Sequence, residues 1–160
     1  MGYIIGTRLD ASQPSDVNDE GKGFSLGDRN IDHSGNEWVY VQAAAAITAF
    51  DTVHVSPAYA ANALTTALAP TSGYIGFAQF AFTTSEKGWV MARGKPTIRV
   101  AGAAAKDVPL YTTSTAGVLD DAATTAEHQI LSVVLLTANG STASSGVAAA
   151  PFPTVGPAEA

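Results

Sequence analysis

The chain contains no cysteine, which excludes disulfides and thiolate metal sites and leaves no trace of a redox compartment. Charge is scarce as well. Only 14% of the residues are Asp, Glu, Lys or Arg, where ordinary globular domains carry about 25%. Cations are the scarcer sign: eight Lys and Arg stand against fourteen Asp and Glu, for a net charge of -6. Nucleic acid is therefore not expected as a partner, because affinity for phosphates comes from clustered cations. Long apolar runs are missing too. Stretches such as Ala43 to Ala46 or Val133 to Leu136 fall far short of the roughly 20 residues that a bilayer demands, so no membrane partner is expected. The first residues, Met1 to Thr7, show no basic stretch followed by an apolar one, so no secretory signal is read there. Gly2 meets the myristoylation pattern only loosely.

What the chain has in quantity is Ala, Thr, Ser and Gly. A surface made of them suits burial against neighbouring copies, and it equally suits a monomer kept in solution by its acidic excess. The length of 160 residues allows one domain with appendages.

Asp51 to Ala78 and Asp107 to Val134 read as two copies of one small β unit. In the first, Asp51-Thr-Val-His-Val leads to Leu64-Thr-Thr and then to Ile75-Gly-Phe-Ala. In the second, Asp107-Val-Pro-Leu-Tyr leads to Leu119-Asp-Asp and then to Ile130-Leu-Ser-Val. Leu and Ile stand eleven residues apart in both, and the first connection differs by one residue. Short strands at repeated spacing, punctuated by Gly, Ser, Thr, Asn and Pro, predict an all-β fold. Its expected form is a compact β-barrel or β-sandwich built from a duplicated strand unit.

Around that core the composition shifts twice. Residues 1–36 hold six of the fourteen acids and no lasting period of two or 3.6 residues, and they read as an extended N-terminal arm. Residues 37–138 form the expected β core domain. Residues 139–160 are rich in Ala, Ser and Pro and read as a flexible, low-complexity tail. Within the core, Val39 and Val41 alternate with Trp38 and Tyr40, which predicts a strand covered on both faces. Gly76 marks a bulge or a close backbone approach. Gly88 to Gly94 and Thr97 to Ala101 read as neighbouring antiparallel strands, with Ile98 and Val100 inward and Arg99 outward.

No pattern of residues carries a reaction. His33, His54 and His128 have no metal-ligand spacing and read as exposed imidazoles. Asp16, Asn18, Glu20 and Gly21 fit the opening positions of a calcium loop, but Gly27 stands where the bidentate Glu belongs, so a solvated turn or a weak surface calcium site is the reading. There is no nucleophile elbow and no Ser-x-x-Lys, and the glycines at Gly21 and Gly23 lack the phosphate-loop pattern. Asp120 and Asp121 are adjacent on a strand and point to opposite faces, which suits no acid/base pair. Catalytic, cofactor and metal sites are accordingly expected to be absent. Five of the eight cations fall together: Lys87, Arg93, Lys95, Arg99 and Lys106. On adjacent strands they would form a positive stripe, able to meet an acidic partner or the acidic arm of a neighbouring copy. The other reading is a guard against edge pairing. Trp38, Trp89, Tyr40 and Tyr74 are large rings at strand positions, suited to core, subunit interface or a sugar platform.

The order of these features resembles the capsid decoration, or cement, proteins of tailed bacteriophages. The resemblance is carried by Trp38 to Ala43, by Leu64-Thr-Thr with Ile75-Gly-Phe-Ala-Gln, by Gly88-Trp-Val, and by Leu110-Tyr-Thr-Thr with Ala116-Gly-Val-Leu-Asp. It implies a β core, often trimeric, that binds the outer surface of an assembled head and reinforces it, with termini that reach across capsomers. The expected partners are then the major capsid protein and further copies of the chain, in a virion assembled in the host cytoplasm. Ile4, Ile5, Leu9, Phe24 and Leu26 are the expected capsid contacts, with Trp38, Arg93 and Arg99 at subunit contacts. The alternative is a carbohydrate-binding or tail-fibre-like recognition module that uses its aromatics on host glycans.

Overall fold

The computed structural model describes residues 24–140, 142 and 144–159, and these are all-β. The first six strands are β1 (Arg29–Ile31), β2 (Glu37–Ala43), β3 (Thr52–Val55), β4 (Ala60–Ala63), β5 (Tyr74–Phe77) and β6 (Lys87–Arg93). They are ordered β1-β2-β4-β3-β5-β6, and β6 returns to pair with β2. The return closes β2, β4, β3, β5 and β6 into a five-stranded mixed barrel and leaves β1 as an added edge. A barrel of so few strands has a narrow bore that admits only small side chains. The alternation in β2 supplies three of them: Val39, Val41 and Ala43 join Val53, Val55, Ala61, Ala78 and Val90 in one buried cluster, to which Ile47 and Phe82, outside the strands, add the larger side chains. Gly76 belongs to this interior. A Cβ there would lie 3.3 Å from the Cγ2 atoms of both Val53 and Val90, and the β3–β5 register runs unbroken past it, so the glycine serves close approach and marks no bulge.

The remaining strands are β7 (Thr97–Val100), β8 (Leu110–Thr112), β9 (Val118–Asp120), β10 (His128–Leu131), β11 (Val134–Leu135), β12 (Ser144–Ala149) and β13 (Thr154–Ala158). They form a second, seven-stranded sheet, β11-β12-β7-β9-β8-β10-β13. Its central run β7-β9-β8-β10 repeats the run β2-β4-β3-β5 of the barrel in pairing sense: parallel, then antiparallel twice. The closing strand is where the two halves part. In the barrel β6 alone pairs with both β2 and β5; in the second sheet that role is divided, β12 pairing with β7 and β13 with β10.

The two stretches read as copies thus share an order of strand pairing, with one change of register. Ile75 lies opposite His54 and Ile130 opposite Leu110, each three positions past its own leading Asp. The leucines do not match. Leu64 follows β4 and donates its N–H to Thr52 O, whereas Leu119 lies within β9 opposite Thr112. The second hairpin has slid along its partner.

Other expectations are corrected by pairing that lies far apart in the chain. Strands β6 and β7 are sequence neighbours but do not pair; Gly94, at φ +133°, ends β6 and sends the chain into the other sheet. Residues 144–149 and 154–158, read as tail, are strands instead. Their small side chains fit tight space, and Ala148 and Ala150 are fully buried. The body also begins earlier than residue 37. Phe24 packs edge-on to Trp89 at 5.1 Å and lies 5.6 Å from Tyr40, and β1 pairs with β2. Ile4, Ile5, Leu9 and the Asp16 to Glu20 loop lie outside the described residues.

One core joins the halves. Trp38, Tyr40, Ile75, Phe77, Trp89 and Met91 from the outer face of the barrel share a buried cluster with Ile98, Val100, Leu110, Leu119, Ile130 and Leu135 of the second sheet. Gln79 reinforces the joint by both donating to Thr97 O and accepting from Thr97 N, each at 3.0 Å. Among the described residues no helix is long and apolar enough to cross a membrane.

Candidate functional site

The cations do not form one stripe. Arg99 turns to Asp51, Lys106 makes an exposed pair with Asp107 at 3.7 Å, and Arg93 goes to the end of the first barrel. There its Nε lies 2.5 Å from Glu37 Oε2, while Arg29 Nη1 holds the other oxygen of the same carboxylate. Glu37 is nearly buried and the two guanidiniums are about half exposed, so the group carries one surplus positive charge at the surface. Each guanidinium also lies over a ring, Arg29 over Tyr74 at 5.8 Å and Arg93 over Phe152 at 5.6 Å.

These residues line a groove of about 400 Å³ at the mouth of the barrel, walled by Pro151, Phe152 and Pro153 from the β12–β13 connection. The hydroxyl of Tyr74 is buried there without a hydrogen-bond partner. Burial pushes its pKa up to about 12, the charge of Arg29 pulling it down and Tyr59 adding to the rise. The phenol thus stays protonated and can donate. Phe152 is 68% exposed and Ile31, across the ladder from Glu37, is 60% exposed. Two cations and two apolar side chains make a surface suited to a segment that brings carboxylates.

A second cleft, also about 400 Å³, lies where the halves meet and is lined by both His54 of β3 and His128 of β10. His54 is buried, not exposed as the sequence suggested, and its Nε2 lies 3.1 Å from Thr71 Oγ1; His128 Nδ1 lies 3.2 Å from Gly156 O. Among the described residues no three His, Asp or Glu side chains converge as metal ligands. Asp120 and Asp121 do different work: Asp120 Oδ1 accepts from Asp121 N, while Asp121 Oδ2 accepts from Ala105 N.

The aromatics offered as a sugar platform are mostly inside. Trp38, Tyr40 and Trp89 are 7%, 1% and 3% exposed, and the Trp38 indole donates to Asp32 Oδ2 at 3.0 Å. Of the residues offered as contacts, Arg93 lies at the mouth, Arg99 at the joint between the halves, Trp38 and Phe24 against the core, and Leu26 at the surface. Sequence reasoning missed Glu37, Tyr74 and Phe152 as parts of one surface. An aromatic between two prolines in an otherwise bland stretch was the available signal for Phe152. No protein-family model matches this chain, and no curated protein is similar to it.

Proposed function

We propose that this chain is a structural virion protein, a capsid decoration protein that binds the outer surface of a tailed-phage head and stabilises it. It works by adhesion, through contacts with the major capsid protein and with further copies of itself in a trimer. The observation that carries this reading is the barrel mouth. Ile31 and Phe152, the two most exposed large apolar side chains among the described residues, flank one ion group there, and exposed apolar surface of that kind marks protein contact. The scarcity of charge over the whole chain supports it as well. Weak contacts of this sort become durable when symmetry repeats them. Phe24 roots the arm on the barrel flank, and Ile4, Ile5 and Leu9 ahead of it are the segment offered to the capsid.

Immunogold electron microscopy tests the reading. An antibody against the full chain is applied to intact particles from the lysate in which the chain is made. Regular label on the outer face of heads is expected, and its loss from particles carrying a chain without residues 2–22 assigns head contact to the arm. Heads that stay bare while the chain is recovered free would overturn the proposal. A glycan array run on the same material serves the competing reading, which requires sugar affinity in place of head label.

A further inference from the structure

The mouth groove suits a carboxylate-bearing segment, and the sequence contains one. Between Asp10 and Glu20 the sequence holds Asp10, Asp16, Asp19 and Glu20 and no Lys or Arg, with Pro14 and Val17 between the acids. The groove offers the complement: Arg29 and Arg93 share the single carboxylate of Glu37, which leaves one surplus positive charge, and Pro151, Phe152 and Pro153 supply an apolar wall.

The direction of the chain favours the segment of another copy. Strand β1 runs antiparallel to β2, with Ile31 opposite Glu37 and Arg29 opposite Val39. Further upstream Gly27 N donates to Tyr40 O at 2.8 Å, and Phe24 lies against Tyr40 and Trp89. Each step toward the N-terminus thus moves about 3.3 Å away from Glu37 along β2. The chain is heading away from its own groove where its described part begins. The eleven residues from Asp10 to Glu20 and the three that join them to Phe24 span at most about 50 Å when extended, enough to reach an adjacent molecule.

We infer that the barrel-mouth groove of one copy receives the acidic segment Asp10–Glu20 of a second copy, so that neighbouring molecules are joined by arm exchange. Carboxylates of the segment pair with Arg29 and Arg93, and Pro14 or Val17 packs on Phe152. The inference rests on the reading of the chain as a self-associating coat component, and it leaves the apolar residues ahead of Asp10 for the capsid.

Sedimentation of the full chain tests it. The variant Asp16→Asn, Asp19→Asn, Glu20→Gln should self-associate about tenfold more weakly, and excess synthetic peptide of residues 10–21 should dissociate the wild-type assembly where its Asn/Gln counterpart does not. The groove variant Arg93→Gln, Phe152→Ala removes one half-exposed cation, with Arg29 left on Glu37, and one exposed ring, so it is expected to fold, and to associate about fivefold or more weakly. Mixing the arm variant with the groove variant should give mixed pairs held by one intact arm in one intact groove, which the peptide of residues 10–21 dissociates. Wild-type affinity in the arm variant, or a wild-type assembly that the peptide does not dissociate, overturns arm exchange. Immunogold label on heads by that same arm variant would then show that only the exchange has failed, whereas bare heads with wild-type chain count against the underlying reading.

Discussion

Arg99 places Nη1 2.5 Å from Oδ1 of Asp51, a carboxylate whose side chain is 3% exposed, and so ties the second sheet to the rim of the first barrel. The other oxygen of Asp51 accepts from Thr48 N at 2.8 Å. Arg99→Ala leaves that carboxylate buried without its cation. Breaking a buried pair from one side costs about 3 to 5 kcal/mol, and because Arg99 is one-third exposed, water can replace part of the loss. We expect about 2 kcal/mol from urea denaturation. Lys106→Ala, which removes an exposed pair, is expected to cost about 0.5 kcal/mol or less; equal losses in the two variants would contradict the assignment.

Removal of residues 140–160 is expected to abolish cooperative unfolding. It deletes the strands that flank β7 and β10 and takes Ala148 and Ala150 out of the core. Circular dichroism of the truncated chain during heating is the measurement. A melting curve identical to that of the full chain would mean that the segment is the tail its composition suggested.

The strand around Arg99 and the segment 140–160 differ in how legible they are in the sequence. Faces were legible, because a strand alternates its side chains with a period of two: Val39 and Val41 go inside with Trp38 and Tyr40 outside, and Ile98 and Val100 go in with Arg99 partly out. Partners were not. Alternation says which side of a strand is buried and nothing about which strand lies beside it, so β6 was given to its sequence neighbour β7 when it in fact closes on β2. The segment after residue 139 was misread for a related reason. Ala, Ser and Gly carry little hydropathy signal, yet they are the residues that fit where sheets come close, as at Ala148. The mouth and the histidine cleft join residues from distant parts of the chain, and no local spacing announces them.

Opposite outcomes are expected at two backbone positions. Gly76→Ala must place a methyl 3.3 Å from Val53 and Val90 and 3.4 Å from Met91 O, inside a bore that cannot widen without breaking ladder bonds, at a cost of about 1 to 3 kcal/mol. Ala126 is exposed and holds φ +71°, a conformation that disfavours a Cβ. Ala126→Gly is expected to stabilise by about 0.5 to 1 kcal/mol. Both follow from chemical denaturation, and a destabilised glycine variant would contradict the left-handed conformation at that turn.

Two carboxylates should make stability respond to acid in opposite directions. Burial raises the pKa of Asp32, but donors from Trp38, Asn36 and Ser34 outweigh it and hold the group below its ordinary 3.8. Its contribution to stability is therefore complete above the unfolded pKa and is lost as pH falls through the lower folded value. Asp120 is shifted up, by burial first and by its neighbour Asp121, against backbone donors that pull it down. Its folded state favours the proton, so that contribution is complete below 3.8 and is lost as pH rises through the raised value. At neutral pH, Asp32→Asn turns an amide N–H toward existing donors and is expected to cost about 2 kcal/mol, a deficit that shrinks as pH falls below 3.8 and the wild-type carboxylate loses its own advantage. Asp120→Asn is expected to raise the denaturation midpoint at neutral pH and to lose that gain in acid. A pair of variants whose differences from wild type stay constant across that pH range would contradict both shifts.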